Sequence, residues 1–434
     1  MKLDLSTLDD ASFRQLFIGA LFFKVIVQSA LDKRQTNHIK FHRDEVPSPF
    51  SNSVTLEEHS FATDYTLTKL RAGSIFRLIN TALLLFWTAG GGIDKVYKLN
   101  QNFSLFGTLT QGVTFFLLLG LISEIVSLPQ ELIETFVIEE KFQKNKTTLK
   151  LFIIDKIKGI GIALLMGVPL LYTILFVVHR FENIWWIFSY ILIIGFQILM
   201  LWAYPTLIAP LFNKFTPLQE GETKEKIINL LARTGFKSKG LFVMDASKRS
   251  THGNAYFSGL GKAKRIVFFD TLLEKLTPPE MEAVLAHELG HFKKKHILKM
   301  IAASSLFLFV QFFVIGQLIK HQNFFIGHGV HIFTIESGLA LTMMVFPIYT
   351  FLLTPIMAAW SRKHEYEADH FAAEQSNAEE LVAALLKLHK ENSSVLYPDS
   401  TYSSFYYSHP PAIERISNLR KIKDELLEVS PVVP

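Results

Sequence analysis

The stretch EAVLAHELGHFKKKH covers residues 282–296. It contains His287, Glu288 and His291 in the pattern H-E-x-x-H. Residues four apart lie on one face of an α-helix, so both imidazoles can bind one ion. Neutral imidazoles suit Zn²⁺, which keeps an open position when it is catalytic. Unless the pattern arises by chance, it predicts a zinc-binding helix in which Glu288 takes a proton from a zinc-activated water.

The composition indicates a polytopic membrane protein. Of 434 residues, 49% are hydrophobic and 39 are Phe, and the mean hydropathy is +0.27. Long apolar runs without charge are typical of membrane spans. Cysteine is absent, which excludes disulfides and thiolate zinc sites. The net charge of +5 is modest and favours basic cytosolic loops over nucleic-acid binding.

Seven apolar stretches have about the 20 residues that a membrane-spanning helix needs. The first lacks the basic segment and the small-residue cleavage site of a signal peptide, so we expect it to be retained. The seven predicted spans are Phe13–Leu31, Ile75–Ile93, Leu105–Leu128, Gly159–Val178, Trp185–Tyr204, Ile297–Ile319 and Ile335–Trp360.

The distribution of Lys and Arg predicts the orientation. These residues are concentrated in the connections 32–74, 129–158 and 205–296 and in the tail, whereas the opposite connections are short and carry few. Basic connections favour the cytosolic side. We therefore expect the N-terminus outside or in the lumen, and the large polar regions in the cytosol.

The polar material is divided between two parts of the chain. Residues 1–204 are predicted to form five spans with their loops, 205–296 a polar part with the zinc motif, 297–360 two spans, and 361–434 a polar part that completes the zinc site. Within the first polar part, residues 226–236 have helical periodicity. Short β-type runs follow at Leu241–Met244, Ala255–Phe257 and Ile266–Phe269.

The motif helix has a recognisable start. Thr277 is a candidate N-cap, Pro278 suits the first helical position, and Glu280 completes a capping box. We expect this helix to run on into the span that starts at Ile297. From His291 to that span is about 9 Å of helix rise, which predicts a metal at the membrane surface.

A third zinc ligand has to come from elsewhere in the chain. The metzincin motif would require His at position 297, where this chain has Ile. His296 lies too close along the same predicted helix to converge with the pair. A better candidate segment is SRKHEYEAD, residues 361–369.

Two carboxylates of that segment lie four residues apart. Glu365 is placed to bind the metal, and Asp369 to hydrogen-bond a ligating His. Spacing alone leaves Glu367 and His364 as alternatives to Glu365. A solvated acidic helix face is the non-functional interpretation.

Several longer segments, together with HELGH, carry a family resemblance. They are LPQELIETFVIEEKFQKNK at 128–146, YPTLIAPLFNKFTPL at 204–218, SKRSTHGNAYFSGLGKAKRIVFFDTLL at 247–273, SRKHEYEADHFA at 361–372 and YYSHPPAIERI at 406–416. The chain resembles the type I CAAX prenyl proteases, integral-membrane zinc metalloproteases of the gluzincin class. The same core resembles the heat-shock-induced membrane zinc proteases of bacteria, which are shorter and lack the TFVIEEKF segment.

The resemblance implies one zinc ion per chain and a set of residues around it. His287, His291 and Glu365 match the family's zinc ligands, and Glu288 matches the general base. Asp369 would orient a zinc ligand by hydrogen-bonding to it, and Arg362, in the same segment, would support the ligands in the same way.

Three further residues match family positions that act on substrate. Asn254 would lie on the edge strand beside the metal, where an extended peptide adds as a strand. His409 and Arg415 match positions that stabilise the tetrahedral intermediate, and both are donors, as an oxyanion requires. Without the resemblance, we would interpret Asn254 as a turn residue, His409 as part of a loop before a helix and Arg415 as a surface charge.

The resemblance also implies a fold and an activity. The fold would be mainly α, with seven transmembrane helices around a chamber and a cytosolic zincin-like α+β metalloprotease domain. The activity would be zinc-dependent cleavage near the C-terminus of prenylated Cys-a-a-X or membrane-associated substrates. Partners would be the lipid bilayer and a peptide or protein substrate, which can be isoprenylated.

Other functions remain open. In the bacterial inner membrane the chain would serve quality control without a prenyl requirement, whereas in the endoplasmic reticulum it would process prenylated proteins. A transporter or a scaffold with a structural metal is the non-enzymatic alternative.

Overall fold

The protein is described by a computed structural model of residues 8–102, 107–258 and 265–429. It is mainly α, with one small sheet, as predicted. Its helices are α1 Asp10–Phe41, α2 Leu56–Trp87, α3 Gly92–Asn100, α4 Thr108–Ile133, α5 Leu149–Arg180, α6 Trp185–Ala203, α7 Ala209–Phe212, α8 Glu222–Arg233, α9 Asp270–Leu273, α10 Pro278–Lys293, α11 His296–Leu318, α12 Gln322–Gly327, α13 Ile335–Tyr349, α14 Leu353–Gln375, α15 Ala378–Glu391, α16 Ser400–Tyr406 and α17 Ala412–Val429.

Among the described residues, six helices are long and apolar enough to cross a membrane, and a bent pair can supply a seventh. The six are α1, α2, α4, α5, α6 and α11. The second predicted span begins and ends too late, because α2 covers Leu56–Trp87 and the turn at Gly90–Gly92 separates it from α3. The start of the third predicted span, at 105–106, lies outside the described residues.

The seventh apolar stretch forms two helices, α13 and α14, which meet at 67°. The bend lies near Phe351, between Pro347 and Pro355, whose missing N–H groups weaken helical hydrogen bonding. Beyond the bend, α14 continues to Gln375 and carries Glu365 and Asp369.

The prediction that the motif helix runs on into the next span is wrong. α10 ends at Lys293 and α11 begins at His296, with Lys295 in the left-handed region at φ +57°. The two helices have different surroundings. α10 packs into a hydrophobic core, whereas the described residues bury none of the apolar stretch of α11. Helix rise therefore does not fix the depth of the metal.

A four-stranded sheet lies beside α10, with strands β1 Phe215–Pro217, β2 Leu241–Met244, β3 Ala255–Ser258 and β4 Arg265–Phe269. The order is β1-β2-β4-β3, with β2 and β4 parallel and both outer pairs antiparallel. In the described part of the chain β3 is an edge strand, in register through Ala255 opposite Phe268. The three predicted strands are confirmed, and β1 adds a fourth.

One hydrophobic core joins the two polar parts. It contains Ile227 and Leu230 of α8, Leu285 and Leu289 of α10, and side chains of α15 and α17. The core therefore packs residues after position 361 against the motif helix, although two spans separate them in sequence. A bidentate pair between Arg249 and Asp155 of α5, at 2.8 and 3.0 Å, ties this unit to the membrane helices.

Candidate active site

Gly290 lets α10 and α14 approach closely. A Cβ at this position would lie 2.8 Å from the Cα of Ala368. The start of α10 is held by Glu280, which accepts a hydrogen bond of 2.7 Å from the Thr277 N–H, as the capping box predicts. The close approach at Gly290 brings one turn of α14 opposite the H-E-x-x-H turn of α10.

Three side chains converge where the two helices meet. The Nε2 atoms of His287 and His291 are 3.2 Å apart, and the carboxylate oxygens of Glu365 lie 3.4 and 3.3 Å from them. With Zn–N and Zn–O bonds of about 2.0–2.1 Å, neighbouring ligand atoms of a tetrahedral site are about 3.3–3.4 Å apart. The three side chains therefore match three corners of a tetrahedral zinc site.

Hydrogen bonding also leaves the converging atoms as acceptors. His287 Nδ1 lies 2.8 Å from Asp369 Oδ1, which can only accept, and His291 Nδ1 lies 3.0 Å from His296 Nδ1. A neutral imidazole that donates from Nδ1 presents a lone pair at Nε2. Glu365 Oε2 is buried and accepts no well-aligned hydrogen bond from the described residues, although His409 Nδ1 is 2.8 Å away. Acceptors that face one another in a buried site fit a cation.

The electrostatics of His287 point the same way. Burial alone would lower its pKa, but hydrogen bonds to Asp369 and Glu365 overcome burial and raise the pKa to about 9. The surroundings therefore favour positive charge at this position, whether that charge is a proton or a metal ion.

Arg415 is a buried residue that contacts Asp369. It is 7% exposed and donates to Asp369 at 2.9 and 2.5 Å. Burial lowers the pKa of Arg415, but Asp369 outweighs burial and raises it. The guanidinium also lies 3.3 Å from His287 Nδ1 and 3.7 Å from Glu365. Arg415 also lines the cavities next to the site, so its predicted contact with substrate stays a prediction.

His409 lies on the open side of the site. Its side chain is 66% exposed, and it precedes Pro410 and α17. The resemblance suggested that Arg362 supports a metal ligand, but among the described residues it makes no hydrogen bond to the metal-site side chains. It donates instead to the carbonyl of Tyr407 at 2.8 Å, so it holds the segment that presents His409.

Two connected features of the open side can accommodate a peptide. A cavity of about 130 Å³ is lined by Glu288, Asn254 and His409 together with metal-site side chains. A second cavity, of about 920 Å³, shares Asn254 and His409 and extends to Arg77 of α2. Asn254 precedes β3 instead of lying on it, and its Oδ1 accepts from the Ala255 N–H at 2.8 Å.

No pattern in the sequence singled out His389 as a candidate site residue. It lies on an amphipathic helix, where a polar residue near the C-terminus is ordinary. In the structure it lines the larger cavity, and its Nδ1 is buried with no hydrogen bond among the described residues. Burial, with the nearby charge of Arg415, lowers its pKa to about 4, so it is neutral at pH 7.

An apolar groove of about 1060 Å³ lies between α6 and α11. Its apolar walls include Ile198, Leu201 and Ile301. Tyr256 and Phe257 of the edge strand, together with His291, also line it. The groove therefore connects the membrane-facing helices with the metal site.

Comparisons with known proteins cover nearly the whole chain. Residues 35–214 match the family described as CAAX prenyl protease N-terminal, five membrane helices, and residues 217–423 match peptidase family M48. CAAX prenyl protease 1 of Saccharomyces cerevisiae is 38% identical over 92% of this chain and 93% of that protein. The Arabidopsis thaliana homolog is 34% identical over 93% and 96%. The crystal structure of S. mikatae Ste24p matches with a TM-score of 0.87 at 32% identity, covering 94% and 99%.

Proposed function

Because the chain belongs to the CAAX prenyl protease 1 family of M48 peptidases, we propose that it cleaves peptide bonds near the C-terminus of prenylated Cys-a-a-X proteins. It is an integral-membrane zinc metalloendopeptidase. The CAAX prenyl proteases of yeast and Arabidopsis thaliana, which it resembles over most of its length, carry this substrate class in their names.

The groove between α6 and α11 is the observation that supports a prenylated substrate. Its lining is mostly apolar, and it adjoins both the edge strand and His291. An isoprenoid chain is a long apolar group that gains from leaving water. With the isoprenoid in this groove, the attached peptide would lie along β3, whose free edge can pair with an extended backbone.

Each residue of the site has a proposed role. His287, His291 and Glu365 would hold one zinc ion per chain, which when bound polarises the scissile carbonyl and acidifies water. Glu288 takes a proton from the attacking water and delivers it to the leaving amine. Asn254 binds the substrate backbone.

The remaining residues stabilise the oxyanion or hold other side chains of the site in place. His409, exposed to the cavity, donates to the oxyanion of the tetrahedral intermediate. Asp369 fixes the tautomer of His287, and we assign Arg415 the role of holding Asp369. Arg362 positions the segment that ends at His409.

We place the site on the cytosolic face, because the basic connections lie on the same side of the spans as the site. The relatives compared above are eukaryotic, which favours the endoplasmic reticulum over a bacterial inner membrane. The chain contains no cysteine, so single cysteines introduced at Lys294 and Lys98 can be labelled without background. Labelling of Lys294→Cys from the lumenal side only would contradict this orientation.

The experiment that tests the substrate class is cleavage of a farnesylated Cys-a-a-X peptide beside its unprenylated twin by the purified protein. We expect strong preference for the farnesylated peptide, and loss of cleavage with a zinc chelator. Equal cleavage of both peptides would reject the prenyl requirement and favour quality control of membrane proteins. Cleavage of neither peptide by the zinc-loaded protein would reject the proposal.

A further inference from the structure

His291 is supported by a pair of side chains that lies outside the proposed metal-binding set. His296 Nδ1 lies 3.0 Å from His291 Nδ1, and His296 Nε2 lies 3.0 Å from Glu367 Oε2. Lys299 approaches the same carboxylate at 3.8 Å. We propose that His296 and Glu367 are positioning residues that fix the tautomer and orientation of His291 and thereby set the affinity of the zinc site.

The break between α10 and α11 makes this contact possible. In one continuous helix, His296 would point about 140° away from His291, because five residues turn about 500°. Lys295 instead has φ +57°, a left-handed conformation that is strained for a residue with a Cβ. This turn starts α11 anew and returns the His296 ring to His291. Strain at a non-glycine residue beside a site is typical of a conformation that the surroundings enforce.

His296 is held rigidly in this position. It is 1% exposed, and its ring stacks on His364 with the centroids 4.0 Å apart and the planes at 12°. The Trp360 ring packs against His364 in turn, at 4.8 Å. The ring therefore has little freedom to rotate away from His291 or Glu367.

The direction of the hydrogen bonds follows from the terminal carboxylate. Ionised Glu367 can only accept, so His296 donates from Nε2. A neutral imidazole has one N–H, so Nδ1 of His296 accepts from Nδ1 of His291. The lone pair of His291 is then at Nε2, which is the atom that faces Glu365 at 3.3 Å. Asp369 imposes the same tautomer on His287, so each histidine has its own carboxylate-based support.

The test measures zinc binding and not cleavage. Purified full-length variants are compared by chelator competition, with the visible spectrum of the Co²⁺-loaded protein as a second readout. We expect His296→Leu to weaken zinc binding about 10–100-fold and to change the Co²⁺ spectrum. Glu367→Gln should weaken it less. His296→Asn should recover most of the affinity, because its side-chain oxygen can still accept from His291.

A matched control is available on α14. His370 and Glu374 form an exposed pair at 3.4 Å on the same helix as Glu367. His370→Leu should leave zinc affinity and the Co²⁺ spectrum unchanged. Unfolding of the metal-free proteins separates positioning from packing, because a packing role would lower the melting temperature without changing the increment that zinc adds.

Two results would overturn the proposal. One is wild-type zinc affinity in both His296→Leu and Glu367→Gln. The other is equal loss in His296→Asn and His296→Leu, which would assign the effect to ring packing. The inference rests on His291 as a zinc ligand, and that premise has its own test, since His291→Ala should lose zinc altogether. None of these outcomes depends on whether substrates are prenylated.

Discussion

The ligand side and the substrate side of the site are built in opposite ways. Asp369 and Glu365 are 0% and 3% exposed, and each proposed histidine ligand has a hydrogen-bonded support. On the substrate side, His409 and Asn254 are exposed, and Glu288 faces a cavity. The first side has its partners within the protein, whereas the second leaves its polar groups to meet a substrate.

This difference predicts two kinds of mutational effect. Removing a partner from the buried side leaves a charge without compensation, so stability and metal binding should both suffer. Removing a side chain from the open side leaves no buried polar group without a partner, so turnover should fall while the fold is kept. The following variants test that division.

Glu365→Ala should have the largest effect on the metal centre. It removes a ligand and leaves two imidazoles, which do not form a complete catalytic zinc site. Elemental analysis of the purified variant should show zinc near background, with cleavage below detection. Glu374→Ala, on an exposed part of α14, is the control. Full zinc occupancy in Glu365→Ala would identify another residue as the third ligand.

Asp369→Asn should come next, because it leaves the buried Arg415 charge without its partner. Breaking such a pair costs about 3–5 kcal/mol of stability. Thermal unfolding in detergent should detect this loss, together with weaker zinc binding. The exposed pair of Arg43 and Asp64 gives a comparison, since Asp64→Asn should cost about 1 kcal/mol or less. Similar losses from both variants would show that the ligand side is not specially sensitive.

Gly290→Ala tests the close approach of the two helices. The added methyl group would overlap Ala368, and overpacking of this kind costs about 1–3 kcal/mol. Zinc affinity should fall as well, since Glu365 moves with α14. Gly120→Ala, where a Cβ meets nothing within 4 Å, should be neutral in both unfolding and zinc titration.

His409→Ala should have the smallest effect on stability, within about 0.5 kcal/mol, because its side chain is exposed. Turnover should nevertheless fall about 10²–10³-fold if His409 donates to the oxyanion. Parallel measurement of kcat, KM and zinc content checks this separation. A stability loss like that of Asp369→Asn would erase the distinction between the two sides.

Local patterns predicted much of this molecule. The apolar stretches gave the membrane helices, and H-E-x-x-H placed two side chains on one face of α10. Thr277 and Glu280 defined the start of that helix. Each of these features depends only on residues that are close together in the sequence, so it can be predicted from a short stretch.

Features that depend on contacts between distant elements were not predictable in the same way. Three lysines in a row gave no sign that Lys295 adopts a left-handed conformation, and the continuous helix predicted there excluded His296 from the site. Arg415 matched a family position, but only packing of α17 on α14 shows that it is buried against Asp369. The cavity that His389 lines is formed by several elements far apart in sequence.

The most direct test of Glu288 as the general base is Glu288→Gln in the purified protein, with zinc content and peptide cleavage measured on the same sample. This substitution removes the proton acceptor and leaves the proposed ligands His287, His291 and Glu365 in place. We expect zinc content equal to that of the wild type and turnover reduced by about 10²–10⁴-fold or more. Cleavage at a rate near that of the wild type, with zinc retained, would contradict it.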